Sequence, residues 1–107
     1  MISVLQFDVP TGEAEFVERM HAALAVLAAR PGYLRGSAAR STDEPSRWVL
    51  VTAWRDVGSY RRALGNYDVK VQATPLLAQA IDLPSGFEEL LTAEPGAEPV
   101  ASTSDHA

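Results

Sequence analysis

The segment of residues 48–54 is apolar at every position except Thr52. Its β-branched and aromatic residues predict a strand. A strand with one face in water alternates apolar and polar residues, whereas this segment places apolar side chains on both of its faces. We therefore expect both faces of the sheet to be covered, one by the chain's own helices and the other by a second copy of the chain.

The amino-terminal part of the chain predicts a strand over residues 2–9 and a helix over residues 13–30. Two acidic residues in the first turn suit the positive end of the helix dipole, and Pro31 and Gly32 end the helix. Apolar side chains recur along it every three or four residues and predict one buried stripe. The stripe consists of Phe16, Met20, Ala23, Leu24 and Leu27.

The central part predicts two more strands, over residues 33–41 and 47–55, joined by a hairpin loop that contains Asp-Glu-Pro-Ser. Asp56 is placed to cap a second helix, which Gly65 and Asn66 interrupt. A further helical piece begins near Asp68. Thr74 is then the predicted N-cap of another helix, which covers residues 75–81 and has Pro75 in its first position.

The carboxy-terminal part predicts one short strand over residues 87–91, followed by a segment rich in Pro, Gly, Ala, Ser and acidic residues. Such a composition buries little surface, so we expect residues 94–107 to be disordered and residues 1–93 to form the folded domain. The element order is then strand, helix, strand, strand, helix, strand. This order predicts an α+β, ferredoxin-like βαββαβ fold, an antiparallel sheet with its helices on one face, and a dimeric barrel from two such sheets.

Composition narrows the function classes. The chain is 47% hydrophobic and carries a formal net charge of −5, which makes a nucleic acid a poor partner. It contains no cysteine, which excludes thiol catalysis and thiolate metal sites. With no cysteine and only His106 as a second histidine, His21 does not suggest a metal site, and we expect it at the surface or at a cavity rim. No apolar run approaches the length of a membrane span or a signal peptide, so we expect a cytoplasmic protein.

Three short motifs agree with this element order: Pro31-Gly32-Tyr33, the run from Val51 to Asp56 that leads into Ser59-Tyr60, and Phe87-Glu88. Together they resemble the antibiotic biosynthesis monooxygenase family of the dimeric α+β barrel superfamily, over residues 1–91. The resemblance implies a homodimer that acts on a small apolar or aromatic molecule with dioxygen and without a cofactor.

The resemblance also implies site residues. The anthrone oxygenases of the family use a Trp and a Tyr at positions that match Trp54 and Tyr60, and their Asn and Arg positions fall on Leu50 and near Thr74. In the haem-degrading branch, a helix His and a Trp fall near Ala73 and Ala63. Haem degradation is not expected here, because the second helical region contains no His.

Trp54 and Tyr60 are therefore the candidate catalytic residues. The Trp54 ring can form a flat wall for a planar substrate, and its indole N–H is a donor. The phenol of Tyr60 can donate to a developing enolate oxygen. The alternative for both is an ordinary core aromatic role. Arg61 and Arg62 could close over an anionic group, although adjacent arginines on a helix are commonly just solvated.

Four further polar residues are candidates for substrate binding. Gln6 interrupts an apolar strand and could orient a carbonyl or hydroxyl, unless it faces a solvated edge. Thr52 and Ser37 are weaker candidates of the same kind. Asn66 lies at the helix break, where a cavity mouth or a simple turn would place it.

The working hypothesis is a cofactor-independent monooxygenase acting on a hydroxylated polycyclic, polyketide-type substrate. A non-catalytic dimeric binding or accessory protein of the same fold is the first alternative. A non-oxidative isomerase or cyclase is the second, and it needs a general base that the sequence does not identify. Convergence of Trp54, Tyr60 and Gln6 on one cavity would favour the enzyme.

Overall fold

A computed structural model describes residues 1–103. Within this range the main sheet takes its strands from both ends and the middle of the chain, and the helices connect them. The elements are β1 (Ile2–Asp8), α1 (Glu13–Ala28), β2 (Tyr33–Arg40), β3 (Arg47–Trp54), α2 (Val57–Leu64), α3 (Tyr67–Gln72), α4 (Thr74–Leu77), β4 (Gly86–Phe87), β5 (Leu91–Thr92) and β6 (Val100–Ala101).

The main sheet has the strand order β2-β3-β1-β4, and every neighbouring pair is antiparallel. β1 and β3 form its centre and pair over their whole length, from Ile2 opposite Ala53 to Asp8 opposite Arg47. This order confirms the predicted ferredoxin-like α+β fold. None of the helices within residues 1–103 is long and apolar enough to cross a lipid bilayer.

The core lies between one face of the sheet and the helices. Leu50 and Trp54 of β3 and Phe7 of β1 are buried against the α1 stripe. The rings of Phe7 and Phe16 meet edge to face, with their centroids 5.4 Å apart. The predicted stripe of α1 is confirmed, with Leu24 half-buried at its margin. The helices therefore cover one of the two apolar faces that the sequence predicts.

The other face of the sheet is only partly covered by the described chain. Val4, Val49 and Val51 are half-buried there, and Ser37 is exposed. The pairing places Val4 and Ser37 on either side of Val51, so these side chains form one row across the sheet. The valines of this row leave apolar surface at the centre of the sheet face, and a second covering layer stays a prediction.

Several predicted boundaries are wrong. α1 ends at Ala28 rather than at residue 30, because the residue before a proline avoids the helical conformation. Thr74 is not the cap of α4: Ala73 occupies that position, and the Thr74 hydroxyl instead donates to the Val69 carbonyl at 3.4 Å. α4 itself stops at Leu77, four residues before the predicted end at residue 81.

The carboxy-terminal region also differs from the prediction. Instead of one strand over residues 87–91, Gly86–Phe87 pairs with β1, and Leu91–Thr92 pairs with Val100–Ala101. The second pairing brings part of the segment from Glu94 onward into a short ladder of exposed residues. The domain boundary at residue 93 stays a prediction, and His106 lies outside the described residues.

Gly32 lies between α1 and β2 and packs closely against the start of α2. Its φ is +87°, and a Cβ there would lie 2.3 Å from Ser59 Oγ, so only glycine fits without a shift of the chain. Its carbonyl accepts from the Arg55 amide at 2.8 Å. This close approach explains the Gly of the Pro-Gly-Tyr motif, and it holds Tyr33 beside the end of β3.

Candidate functional site

α2 is set by a side-chain cap at its first turn. Asp56 Oδ1 accepts from the Ser59 backbone amide at 2.7 Å, as the sequence predicts. That backbone hydrogen bond, followed by the Ser59 side chain and the nearby arginine charges, lowers the pKa of the Asp56 carboxyl. From this start, α2 presents residues 57, 60, 61 and 64 on one side, since positions three and four apart share a helix face.

Three aromatic rings form a row at the junction of β2, β3 and α2. Tyr33 meets Trp54 edge to face, with centroids 5.4 Å apart and planes at 85°. Trp54 in turn contacts Tyr60 at 5.6 Å and 56°. Trp54 is 1% exposed, and Tyr60 is half-buried at the end of the row. The row therefore fixes the orientation of Tyr60 from the core side.

Two buried hydroxyls complete this arrangement. The indole N–H of Trp54 donates to Thr52 Oγ1 at 2.9 Å. The hydroxyl of Ser3 donates to the Tyr60 hydroxyl at 3.1 Å. Ser3 lies opposite Thr52 in the β1–β3 register, so both hydroxyls point to the helix side of the sheet. With its oxygen accepting from Ser3, Tyr60 keeps its own phenolic proton for another acceptor.

A cavity of about 650 Å³ opens beside Tyr60, between α2 and the segment around β4. Its walls are mainly apolar, and Tyr60 supplies a phenol. Its formally charged side chains are Arg61, from α2, and Glu88, from the opposite wall. The lining residues are Met1, Val57, Tyr60, Arg61, Leu64, Gly86, Phe87, Glu88 and Leu90. Such a space suits a small, largely apolar ligand with one or two polar groups.

The structure brings three of the six predicted site residues together. Tyr60 lines the cavity, Trp54 supports it from the core, and Thr52 holds the Trp54 indole. Direct donation from Trp54 to a substrate would require the indole to leave Thr52. Ser3 is a residue of the site that the sequence did not predict. The one sequence feature that could have pointed to it is a polar hydroxyl on the strand face that also carries Leu5 and Phe7.

The other three predicted residues lie elsewhere. Gln6 is on the opposite face of the sheet, where its side-chain oxygen accepts from Arg47 Nη1 at 3.0 Å. Ser37 lines a shallow depression of about 310 Å³ on that same face. Asn66 caps α3 by accepting from the Val69 amide at 3.2 Å, which is the turn role considered for it. None of these three shares the cavity with Tyr60.

The positions that the resemblance assigns to other family members are apolar or structural here. Leu50 is 1% exposed in the core, and Ala63 and Ala73 are buried with it. Within residues 1–103 there is no cluster of three or more His, Asp or Glu side chains able to hold a metal ion. The polar chemistry of the cavity therefore rests on Tyr60, Arg61 and Glu88.

Comparison with known proteins places the chain in a family. The family model for antibiotic biosynthesis monooxygenase matches residues 1–71. Deoxynogalonate monooxygenase from Streptomyces nogalater is 33% identical over 75 residues, which cover 70% of this chain and 64% of that protein. This chain thus aligns with less than two thirds of that relative's length.

Solved structures agree. SnoaB, described as a cofactor-independent oxygenase from Streptomyces nogalater, is 30% identical with a TM-score of 0.66, over 75% of this chain and 82% of that one. A monooxygenase-like protein from Nitrosomonas europaea shares the fold at 19% identity and a TM-score of 0.61, over 79% and 90% of the two chains. The chain belongs to the antibiotic biosynthesis monooxygenase family.

Proposed function

We propose that this protein is a cofactor-independent monooxygenase that binds a small aromatic or polycyclic substrate in the cavity beside Tyr60. The observation that carries the proposal is the phenol at the wall of an apolar cavity of about 650 Å³. The description of SnoaB as a cofactor-independent oxygenase supports the reaction class. The name of the deoxynogalonate monooxygenase supports monooxygenation as the reaction.

The substrate supplies most of the reactivity. Loss of a proton from the ring methylene of an anthrone leaves an enolate, whose electrons reduce dioxygen. One oxygen atom becomes the new ring carbonyl and the other leaves as water, so the substrate is oxidised to a quinone. The protein's part is to orient the ring, stabilise the enolate oxygen and keep water away.

Tyr60 is the residue best placed to stabilise the enolate oxygen. Since Ser3 donates to the Tyr60 oxygen, the Tyr60 proton is available to the oxyanion. Trp54 acts by holding the Tyr60 ring, and the apolar walls contact the substrate rings. In the proposed mechanism Trp54 is therefore a positioning residue unless its indole turns away from Thr52.

We also propose that two copies associate through the uncovered face of the main sheet. The support is the row formed by Val4, Val51 and Ser37, in which the valines are half-buried in the single chain. Burial of apolar surface of this kind favours association by roughly 25 cal/mol per Å² before the costs of association. A face-to-face pair would give the second covering layer that the apolar pattern of β3 requires.

The oxygenase proposal is tested by incubating the protein with an anthrone in air and following quinone absorbance. We expect a rate above that of buffer, no reaction under nitrogen, and a loss of about 100-fold in kcat for Tyr60→Phe. The matched control is Tyr67→Phe, which removes the hydroxyl of an exposed tyrosine outside the cavity. Buffer-level rates with several hydroxylated anthrones would contradict the proposal.

A non-catalytic binding or accessory protein is the second candidate. The observation that favours it is the Trp54 indole N–H, which is already satisfied by Thr52 at 2.9 Å in the core. If this alternative holds, we expect an anthraquinone to bind without turnover and to quench the fluorescence of the row formed by Tyr33, Trp54 and Tyr60. The two candidates separate because only the first predicts oxygen-dependent turnover that Tyr60→Phe removes.

A further inference from the structure

The aromatic row of Tyr33, Trp54 and Tyr60 runs from the cavity wall to β2, an edge strand of the main sheet. We infer that this row has a second function: it conducts oxidising equivalents away from the cavity, one electron at a time, and so protects the protein from radicals formed there. The inference rests on the proposed function only for the source of those radicals. The conduction itself requires no substrate and no turnover.

Each member of the row has a side chain that loses an electron readily, since phenol and indole rings are far easier to oxidise than the phenyl ring of phenylalanine. The ring centroids of Tyr33 and Trp54 are 5.4 Å apart and those of Trp54 and Tyr60 are 5.6 Å apart, so neighbouring rings are in contact. Trp54 is buried, whereas both tyrosines are half-buried. An oxidising equivalent therefore enters at Tyr60 and leaves at Tyr33, with solvent kept from the middle of the row.

A second aromatic cluster in the core has the same kind of packing without the same chemistry. The ring centroids of Trp48 and Phe16 are 5.5 Å apart, and those of Phe16 and Phe7 are 5.4 Å apart. Within residues 1–103, Trp48 has no ring contact with a tyrosine. Because a phenylalanine ring does not give an electron to a tryptophan radical, an oxidised Trp48 has no ring neighbour that can reduce it. The two tryptophans are therefore a natural comparison.

Gly36 allows the Tyr33 ring to lie against Trp54. The β2–β3 register places Tyr33 opposite Trp54. A Cβ at Gly36 would lie 2.6 Å from the Tyr33 hydroxyl and 3.1 Å from Thr52 Cγ2. Any larger residue at this position would push the phenol away, so the outer half of the row depends on this glycine.

Two hydroxyls favour the oxidised forms of the inner rings. The indole N–H of Trp54 donates to Thr52 Oγ1 at 2.9 Å. This hydrogen bond strengthens when the indole loses an electron, because a positively charged donor forms the stronger bond. The Ser3 hydroxyl donates to the Tyr60 oxygen at 3.1 Å, and it can stay bonded to that oxygen after the Tyr60 hydrogen has left. Both contacts therefore lower the cost of forming the radicals.

The oxidant is a peroxyl radical, which forms in the cavity when a carbon radical of the substrate adds dioxygen. It takes the hydroxyl hydrogen atom of Tyr60: the O–H bond of Tyr60 breaks, a hydroperoxide O–H bond forms, and a phenoxyl radical remains. Trp54 then gives one electron to this phenoxyl, which takes a proton from solvent at the mouth of the cavity. Tyr33 gives one electron to Trp54 and loses its phenolic proton to solvent. A thiol in solution returns a hydrogen atom to Tyr33 and becomes a thiyl radical.

The test makes tryptophan radicals directly, by photoionisation with an ultraviolet pulse, and follows indole and phenoxyl radicals by transient absorption. The chain has three tyrosines, so a Tyr67→Phe background leaves only Tyr33 and Tyr60. In this background Trp48→Phe retains Trp54, and we expect a phenoxyl to appear with the rate constant at which the Trp54 radical decays, at any protein concentration. Trp54→Phe, the matched control, retains Trp48 and should lose this phenoxyl signal.

A second set of variants keeps Trp54 in its buried place. With Tyr33 and Tyr60 both changed to Phe, we expect the Trp54 radical to persist and no phenoxyl to form. Peroxyl radicals from a water-soluble azo initiator then test protection without any substrate. Tyr33→Phe should increase the oxidation of Trp54 that mass spectrometry detects, whereas Tyr67→Phe should not.

Three results would overturn the inference: decay of the Trp54 radical without a phenoxyl, equal phenoxyl formation from Trp48 and Trp54, or Trp54 oxidation that Tyr33→Phe leaves unchanged. These measurements involve no anthrone. A working relay in a protein that does not oxidise anthrones would refute only the oxygenase proposal, and an active oxygenase without the relay would refute only this inference.

Discussion

Ser3 and Tyr60 lie 57 residues apart in the chain, and their hydroxyls are joined by a hydrogen bond of 3.1 Å. Ser3 is buried in β1, and Tyr60 lies on α2 at the wall of the cavity. The bond therefore links the centre of the sheet to the proposed reactive group. It also orients the phenol, because a hydroxyl that accepts from a buried donor has its own proton left to give.

A double-mutant cycle measures this link. Ser3→Ala and Tyr60→Phe remove the same bond from its two ends, so we expect a coupling free energy of unfolding of about 1 kcal/mol. Ser3→Ala should also lower kcat with little effect on KM, since it frees the phenol without changing the walls. Additive effects on stability, with an unchanged kcat in Ser3→Ala, would show that the bond orients nothing.

Substitution of two glycines with positive φ distinguishes the cost of backbone strain from the cost of a steric clash. Gly12 has a φ of +75° with open space around it, whereas a Cβ at Gly32 would lie 2.3 Å from Ser59 Oγ. We expect Gly12→Ala to cost about 1 kcal/mol, from the left-handed conformation alone. Gly32→Ala should cost clearly more, because α2 must also move. Chemical denaturation measures both, and equal losses would mean that the Ser59 contact relaxes freely.

Folding lowers the pKa of Asp56 below its ordinary value of 3.8, chiefly because the Ser59 backbone amide donates to the carboxylate. A carboxyl whose pKa falls on folding stabilises the fold above its unfolded pKa, and this stabilisation is lost as pH falls through the folded pKa. Asp56→Ala should therefore lower the Tm at neutral pH, with a smaller difference from wild type in strong acid.

The control for this prediction keeps the cap without the charge. Asp56→Asn should retain most of the stability at neutral pH, since asparagine also caps helices well, and should lose the acid dependence that belongs to this site. Asp82→Ala, at an exposed loop position, should leave the pH profile of the Tm unchanged. A constant difference between Asp56→Ala and wild type across the acid range would contradict the assignment.

The proposed dimer is tested at the centre of the uncovered sheet face. Val51→Lys places a charge in the row between Val4 and Ser37, where face-to-face packing would bury it without a partner. We expect wild type to sediment as a dimer, and the variant to sediment as a folded particle near the chain mass of 11.5 kDa. Thr42→Lys, in the exposed hairpin loop, should remain dimeric. A monomeric wild type at micromolar concentration would reject the proposal.

Local chemistry accounts for the parts of the fold that the sequence predicts well. The apolar stripe of α1, the Asp56 cap and the break at Gly65 and Asn66 each depend on residues a few positions apart. The prediction at Thr74 rests on the preference of threonine for the cap position, whereas in the structure α4 begins after buried Ala73 with no side-chain cap. The last strand was misplaced because a two-residue pairing leaves little periodicity to detect.

The candidate site depends on contacts that no local pattern contains. The family resemblance implied Tyr60 and Trp54 as candidates, and the apolar residues at alternating and intervening positions of β3 were enough to predict a sheet with two apolar faces. Only the tertiary structure decided that Gln6 lies on the opposite sheet face from Tyr60, that Ser3 bonds to it, and that Arg61 rather than Arg62 lines the cavity. The physical reason is that alternation and helical spacing fix which side chains share a face, whereas strand pairing and helix docking fix what each face meets.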